Sequence, residues 1–187
     1  MLVGANPIQT LEDETTEALV ATEFYGATKR RLLAEYPWRF AVKIVSLAED
    51  ATPPPASIFT YAYHLPSDAI TVRSIIEQAA SIATPGVSQI PPRQGYEIVG
   101  SKLMCNLSPC YLEYTANVDE SEFPPHFIEA LVNALASAFA MPITESAEKS
   151  AYFADVARTY TGRAKIIDGQ QRPEQPMHAS DFIRVRM

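Results

Sequence analysis

At Pro37 the sequence changes its repeat, and that change constrains the fold more than any other feature. Before it, Val20, Phe24, Thr28, Leu32 and Tyr36 recur every four residues, which places them on one stripe of a helix. After it, Trp38, Phe40, Val42 and Ile44 alternate with Arg39, Ala41, Lys43 and Val45, the period of a half-buried strand. Proline has no N–H to continue a helical ladder and biases the preceding residue away from helical angles, so a helix is expected to end at Tyr36. Its start is expected at Glu12. Glu12, Asp13, Glu14 and Glu17 come first and Lys29, Arg30 and Arg31 come late, the order that complements a helix dipole.

The alternating character continues. Beyond Pro53, Pro54 and Pro55, the stretches Ile58 to His64 and Ile70 to Ile75 are rich in aromatic or β-branched residues, with Pro66, Ser67 and Asp68 as a turn between them. Glu77 to Gln94 is small, polar and broken by Pro85, Gly86, Pro91 and Pro92, which reads as a long loop of the kind that contacts a partner. Gly100 and Ser101 suit the two-residue turn of a hairpin between Tyr96–Val99 and Lys102–Leu107, and Tyr111 to Val118 supplies a last strand.

Helical spacing then returns. Pro124 and Pro125 sit where a missing donor costs nothing, at the start of a second helix with Phe127, Ile128, Leu131, Leu135, Ala138 and Phe139 on its apolar face. Ala130, Ala134, Ala136 and Ala140 add so little bulk that this helix can pack closely on more than one side, as a central helix must. Pro142 is expected to end it, Thr144 to cap a third helix, and Tyr152, Val156 and Tyr160 to form that helix's stripe up to about Lys165. From Asp168 onward no helical period remains. Ile183, Val185 and Met187 alternate with Phe182, Arg184 and Arg186 like an added strand, and Phe182 lies far from any periodic core. Phe182, Ile183, Arg184, Val185 and Arg186 are therefore the expected subunit interface.

A helix, a run of short strands and two more helices make an α+β chain. The expected organisation is a small helical bundle (1–37 and 121–167), an inserted antiparallel β-sheet or barrel module (38–120) and an extended C-terminal tail (168–187). The 187 residues, 47% hydrophobic and 20% charged, suffice for one core shared by two such modules. No run of 18 apolar residues and no basic-then-apolar start is present, so neither a membrane span nor a signal peptide is expected and synthesis in a cytosol is.

Charge and chemistry narrow the function. Fifteen Lys and Arg against 22 Asp and Glu leave a net charge of −7, a poor basis for gripping a phosphate backbone. Cys105 and Cys110 are too few for a zinc site and are expected to stay free thiols in a reducing compartment. His64, His126 and His178 show no ligand spacing, and neither a metal nor a cofactor is expected. Acidic clusters occur only at element boundaries, where carboxylates cap helices or solvate loops, and neither a nucleophile elbow nor a phosphate-cradling glycine motif is present. The aromatic concentration of Tyr25, Tyr36, Trp38, Phe40, Tyr61 and Tyr63 fits core packing better than a base or sugar platform. No enzyme is indicated; the least poor pair for a polysaccharide or cell-wall hydrolase is Glu122 with Glu129, and a cellular interaction domain is a third possibility.

The order of several motifs carries more. Pro7, Ile8, Leu11 and Glu12 precede the first helix; Leu33 is followed by Tyr36, Pro37, Trp38, Arg39, Phe40 and Ala41; Tyr63, Leu65, Pro66, Ser67 and Asp68 come next. Phe123, Pro124, Pro125, Phe127, Glu129, Ala130 and Leu131 follow, continued by Ala136, Ala140, Pro142, Ile143 and Thr144. In this order the sequence resembles the tail tubular protein A family, the head-to-tail adaptors of podovirus-type phages, from about Asn6 to Asp168. The resemblance implies a helical module carrying a β insertion. It also implies a virion protein that forms a ring, commonly of twelve copies, between the portal and the tail nozzle, with DNA passing through the lumen. An acidic lumen suits that role, because repelled phosphates slide. Two departures stand out: the family's helix ahead of Pro7 has only six residues to occupy here, so the helical module is expected to be smaller or to be completed by a neighbour, and the 77–94 loop matches no family motif.

Overall fold

The computed structural model describes residues 4, 8–11, 13–51, 58–77 and 95–171. Both the 77–94 loop, beyond its first residue, and the whole Phe182–Arg186 interface therefore lie outside the described residues. The fold is α+β, with three helices and two small antiparallel sheets. The described residues divide into two compact units, one drawn from 1–43, 66–73 and 114–171, the other from 44–65 and 74–113.

In the first unit, α1 spans Thr16–Glu35. It starts four residues later than the acidic run suggests because Thr15 is its cap, the hydroxyl accepting from Ala18 N at 3.2 Å. Ala18, Ala21, Thr28, Lys29, Leu32 and Leu33 form its buried face, while Phe24 is 37% exposed, so the stripe is turned from the expected one. Lys29 does not complement the dipole. Its ammonium is held 2.8 Å from Glu120 and lies 5.3 Å from the centre of the Phe123 ring. The last carbonyls of α1, which have no partner within the helix, are met from elsewhere: Trp38 Nε1 donates to Leu32 O at 2.8 Å and Arg73 Nη2 to Ala34 O at 3.1 Å.

α2 spans Pro125–Thr144 and α3 spans Ala147–Gln170. α2 packs against both α1 and α3, as a central helix should. Its alanines are the reason: Ala130, Ala134, Ala136 and Ala140 are buried with Phe127 and Leu131, whereas Ile128, expected on the core face, is 45% exposed. By length and composition alone it is also the one helix among the described residues apolar enough to cross a membrane. Pro142 does not end α2. So near the C-terminus it removes a single ladder bond, and the helix runs on to Thr144, whose hydroxyl donates to Ala140 O at 2.6 Å. The break comes at Glu145, which is left-handed (φ 51°), and Ser146, not Thr144, caps α3 through Lys149 N. α3 continues past Lys165. Thr161, Ala164 and Asp168 are its buried line, and Tyr152, expected in the stripe, is 64% exposed.

The strand expected from Trp38 begins later. Residues Arg39–Ala41 form a 3-10 turn in which Ala41 N and Val42 N both reach Trp38 O, and β1 covers Val42–Ser46 with Ile44 exposed. β3 (Ala69–Glu77) and β6 (Cys110–Ala116) join it in a sheet of order β1-β6-β3. The other sheet has the order β2-β5-β4, from β2 (Tyr61–His64), β4 (Tyr96–Val99) and β5 (Lys102–Cys105). The β4–β5 hairpin pairs Val99 with Lys102 across Gly100 and Ser101, as the turn residues predict. Gly100 has φ +62°, a conformation an L side chain strains to adopt.

Candidate functional site

The motif residues of the first unit converge on one aromatic hub. Phe127, on the first turn of α2, meets Trp38 edge-on at 5.1 Å between ring centres, Phe40 at 4.8 Å and Phe123 at 4.8 Å. Phe40 also meets Phe123 at 5.8 Å, and Tyr36 packs edge-on against Trp38 at 5.1 Å. Trp38 and Phe127 are wholly buried. Pro37 turns the chain so that Trp38 enters this hub, and Pro124 and Pro125 set the first turn of α2 so that Phe127 faces it.

Beside the hub is a polar knot that sequence alone does not reveal. The Asp168 carboxylate, 1% exposed, accepts from Arg39 N with both oxygens, at 3.2 and 3.1 Å. His126 Nε2 lies 3.6 Å from Asp168 Oδ1, beyond hydrogen-bond range, and is buried without a hydrogen-bond partner. The His126 ring also lies 6.5 Å from the Trp38 ring. The Asp168 carboxylate thus ties α3 to the backbone just after Trp38. The signal that could have revealed it was the i, i+7 relation of Thr161 and Asp168, a polar residue in phase with a buried face.

Asp68, in the turn before β3, has a similar organising role. Its carboxylate accepts from the Tyr114 hydroxyl at 3.0 Å and lies 3.2 Å from Lys43, while its carbonyl accepts from Asn117 N at 2.7 Å. Burial and then the bond to Asp68 push the Tyr114 hydroxyl up to about 12. Pro66 contributes the carbonyl that Ala69 N closes onto at 3.0 Å.

The carboxylates with a conceivable acid-base role are dispersed. Glu122 ends an exposed 3-10 turn and Glu129 is on the solvent face of α2. Glu120, in that turn, is the strongly perturbed acid: bonds from Lys29, its own backbone N–H and Tyr25 hold it at about 2 against an ordinary 4.5. Stability from this site is present above pH 4.5 and is lost as pH falls toward 2, because only the ionised form makes these contacts. Glu120→Gln should therefore flatten the acid limb of a stability–pH curve across that interval, measured by urea denaturation. The Glu120 side chain is 56% exposed, so the loss at neutral pH should stay below about 1 kcal/mol.

In the second unit, Asp50 is approached by both Lys102 Nζ and His64 Nε2, the latter at 3.3 Å. Cys105 and Cys110 are both buried free cysteines, and the Cys105 thiol donates to Leu107 O at 3.8 Å. Among the described residues no three His, Cys, Asp or Glu side chains gather as a metal set.

The chain matches no protein-family model and no curated protein.

Proposed function

We propose that this chain is a structural virion protein, a head-to-tail adaptor subunit of a short-tailed phage that forms a ring between portal and tail nozzle. The observation that carries the reading is the aromatic hub. The Tyr36–Phe40 and Phe123–Phe127 motifs, two of the ordered set that carries the resemblance to the tail tubular protein A family, are about 85 residues apart in sequence yet pack ring against ring. The α+β order of elements agrees with the fold the resemblance implies, and the net charge of −7 suits a channel through which DNA slides. In this reading the helices and the inserted strands build the ring wall, the C-terminal segment with Phe182 reaches a neighbouring copy, and no catalytic step is involved.

Size-exclusion chromatography with light scattering, on the full chain with and without assembled cognate portal rings, tests it. The chain should move to the portal fraction as a ring of many copies at a fixed ratio. A chain that stays monomeric beside the portal overturns the proposal, as does turnover of cell-wall or capsule polysaccharide that is lost in Glu122→Gln.

A further inference from the structure

We propose that the outer edge of β4 is a strand-acceptor site, filled by residues 182–185 of a second copy of this chain. Among the described residues β4 ends the β2-β5-β4 sheet, with β5 as its one neighbour. The opposite edge of that sheet is covered: Glu49 bridges to Tyr63, and Asp50 N donates to Ala62 O at 2.8 Å, both on β2. β4 has no such cover among the described residues, and its sequence holds neither the proline nor the lysine that keeps a bare edge from pairing.

The register fixes which side chains share a face. Tyr63, Leu103 and Ile98 form one row across the three strands, and Tyr61, Cys105 and Tyr96 form the next row on the same face. Tyr63 and Leu103 are 1% and 0% exposed, whereas Ile98, at the end of their row, is 44% exposed. On the other face Ala62, Met104 and Glu97 make a row that ends on an exposed carboxylate. A strand laid beside β4 therefore has to extend the first face with apolar side chains and meet Glu97 with a cation.

Phe182, Ile183, Arg184 and Val185 have that order. Laid antiparallel to β4, they set Ile183 beside Ile98, Arg184 beside Glu97, Val185 beside Tyr96 and Phe182 beside Val99, which is 53% exposed. Laid parallel, they bring Arg186 instead of Phe182 to Val99 and lose an apolar pair. The backbone agrees with the antiparallel register. Val99 and Lys102 flank a two-residue turn and so exchange both ladder bonds, and by alternation the N–H and C=O of Ile98 and Tyr96 point to the outer edge. Glu97 and Arg184 then form a non-hydrogen-bonded pair, where facing side chains come closest. Other edges fit the segment less well: β1 carries Lys43, a like charge to Arg184, and β3 is half-buried from Ala69 to Ser74.

For the source of the segment the inference rests on the adaptor reading. In a closed ring each copy presents one acceptor edge and donates one segment, a head-to-tail contact that repeats until no edge is left over. Main-chain bonds to Ile98 and Tyr96 supply the affinity, and the Arg184–Glu97 pair sets the register.

The test mixes two full-length variants, Glu97→Cys and Arg184→Cys, under mild oxidation, free at high concentration and again with assembled portal rings, and reads them by non-reducing electrophoresis and peptide mapping. Expected is a disulfide between positions 97 and 184 that joins one copy of each variant. Val99→Cys mixed with Phe182→Cys should link as well, and Val99→Cys mixed with Arg186→Cys should not. Glu97→Arg and Arg184→Glu should each raise the concentration for half-assembly about fivefold, and both reversals on one chain should restore it, which separates a lost contact from a lost fold. No linkage in either condition, linkage within a single chain when both cysteines are placed on it, or single reversals that assemble like the wild-type chain would each overturn the proposal. Copies that bind the portal without linking defeat the strand exchange and leave the adaptor reading standing; copies that link in solution yet ignore the portal do the reverse.

Discussion

Trp38→Ala should destabilise the helical unit by about 3–5 kcal/mol, the range for removing a large aromatic from a packed core. Trp38 is wholly buried, and its ring touches Tyr36, Phe40 and Phe127. Its indole N–H also closes the C-terminus of α1 on Leu32 O. The substitution therefore opens a cavity and leaves a helix-end carbonyl unmet, and the two losses add. Trp38→Phe separates them. It keeps most of the ring contacts and gives up the hydrogen bond, for an expected loss of about 1–2 kcal/mol. Urea denaturation followed by circular dichroism gives both values, and because Trp38 is the sole tryptophan, its fluorescence reports this unit alone in the wild-type chain. A loss below about 1 kcal/mol for Trp38→Ala would mean the hub does not hold the unit together.

That Tyr36, Trp38 and Phe40 pack in a core was legible in the sequence; the local structure that carries them was not. Alternation from Trp38 to Ile44 suggested a strand with these residues on its inner face, yet Trp38 and Phe40 belong to a turn and a core, and Ile44 is 59% exposed. Period-two spacing cannot distinguish a strand from a turn whose large residues all face one cluster. What tipped the balance was local bonding, with Ala41 and Val42 N–H groups on Trp38 O and the Arg39 N–H taken by a residue 129 positions away. The helices show the same limit. Large apolar residues define a stripe in sequence, but α2 buries its alanines and leaves Ile128 and Val132 about half exposed, because close helix packing selects small side chains.

Boundaries failed where a side chain supplied the signal. Pro142 looked like an end and is not one, since a proline three positions from a C-terminus removes only a bond that the last turn can spare. Lys29 looked like a dipole partner, and the charge that reaches the end of α1 is Arg73, from β3. No spacing rule links Arg73 to Ala34.

Asp168→Ala should cost about 2–4 kcal/mol, a charge-assisted pair of bonds to Arg39 N together with the void left in a close-packed site. Asp168→Asn discriminates between two accounts of the residue. If its role is to accept the Arg39 N–H, asparagine retains an acceptor and the loss should be near 1 kcal/mol. If its role is to face His126 across 3.6 Å, asparagine removes the charge and the loss should approach that of alanine. The geometry favours the first, since two oxygens are in range of the backbone N–H and His126 Nε2 makes no hydrogen bond. A double-mutant cycle with His126→Phe, measured by urea denaturation, completes the comparison: a coupling energy within about 0.5 kcal/mol of zero assigns Asp168 to the backbone. The same residue then fixes the C-terminal turn of α3 onto the chain just after Trp38, so hub and knot secure one joint from two sides. Variants at both should lose the cooperativity of the helical unit together.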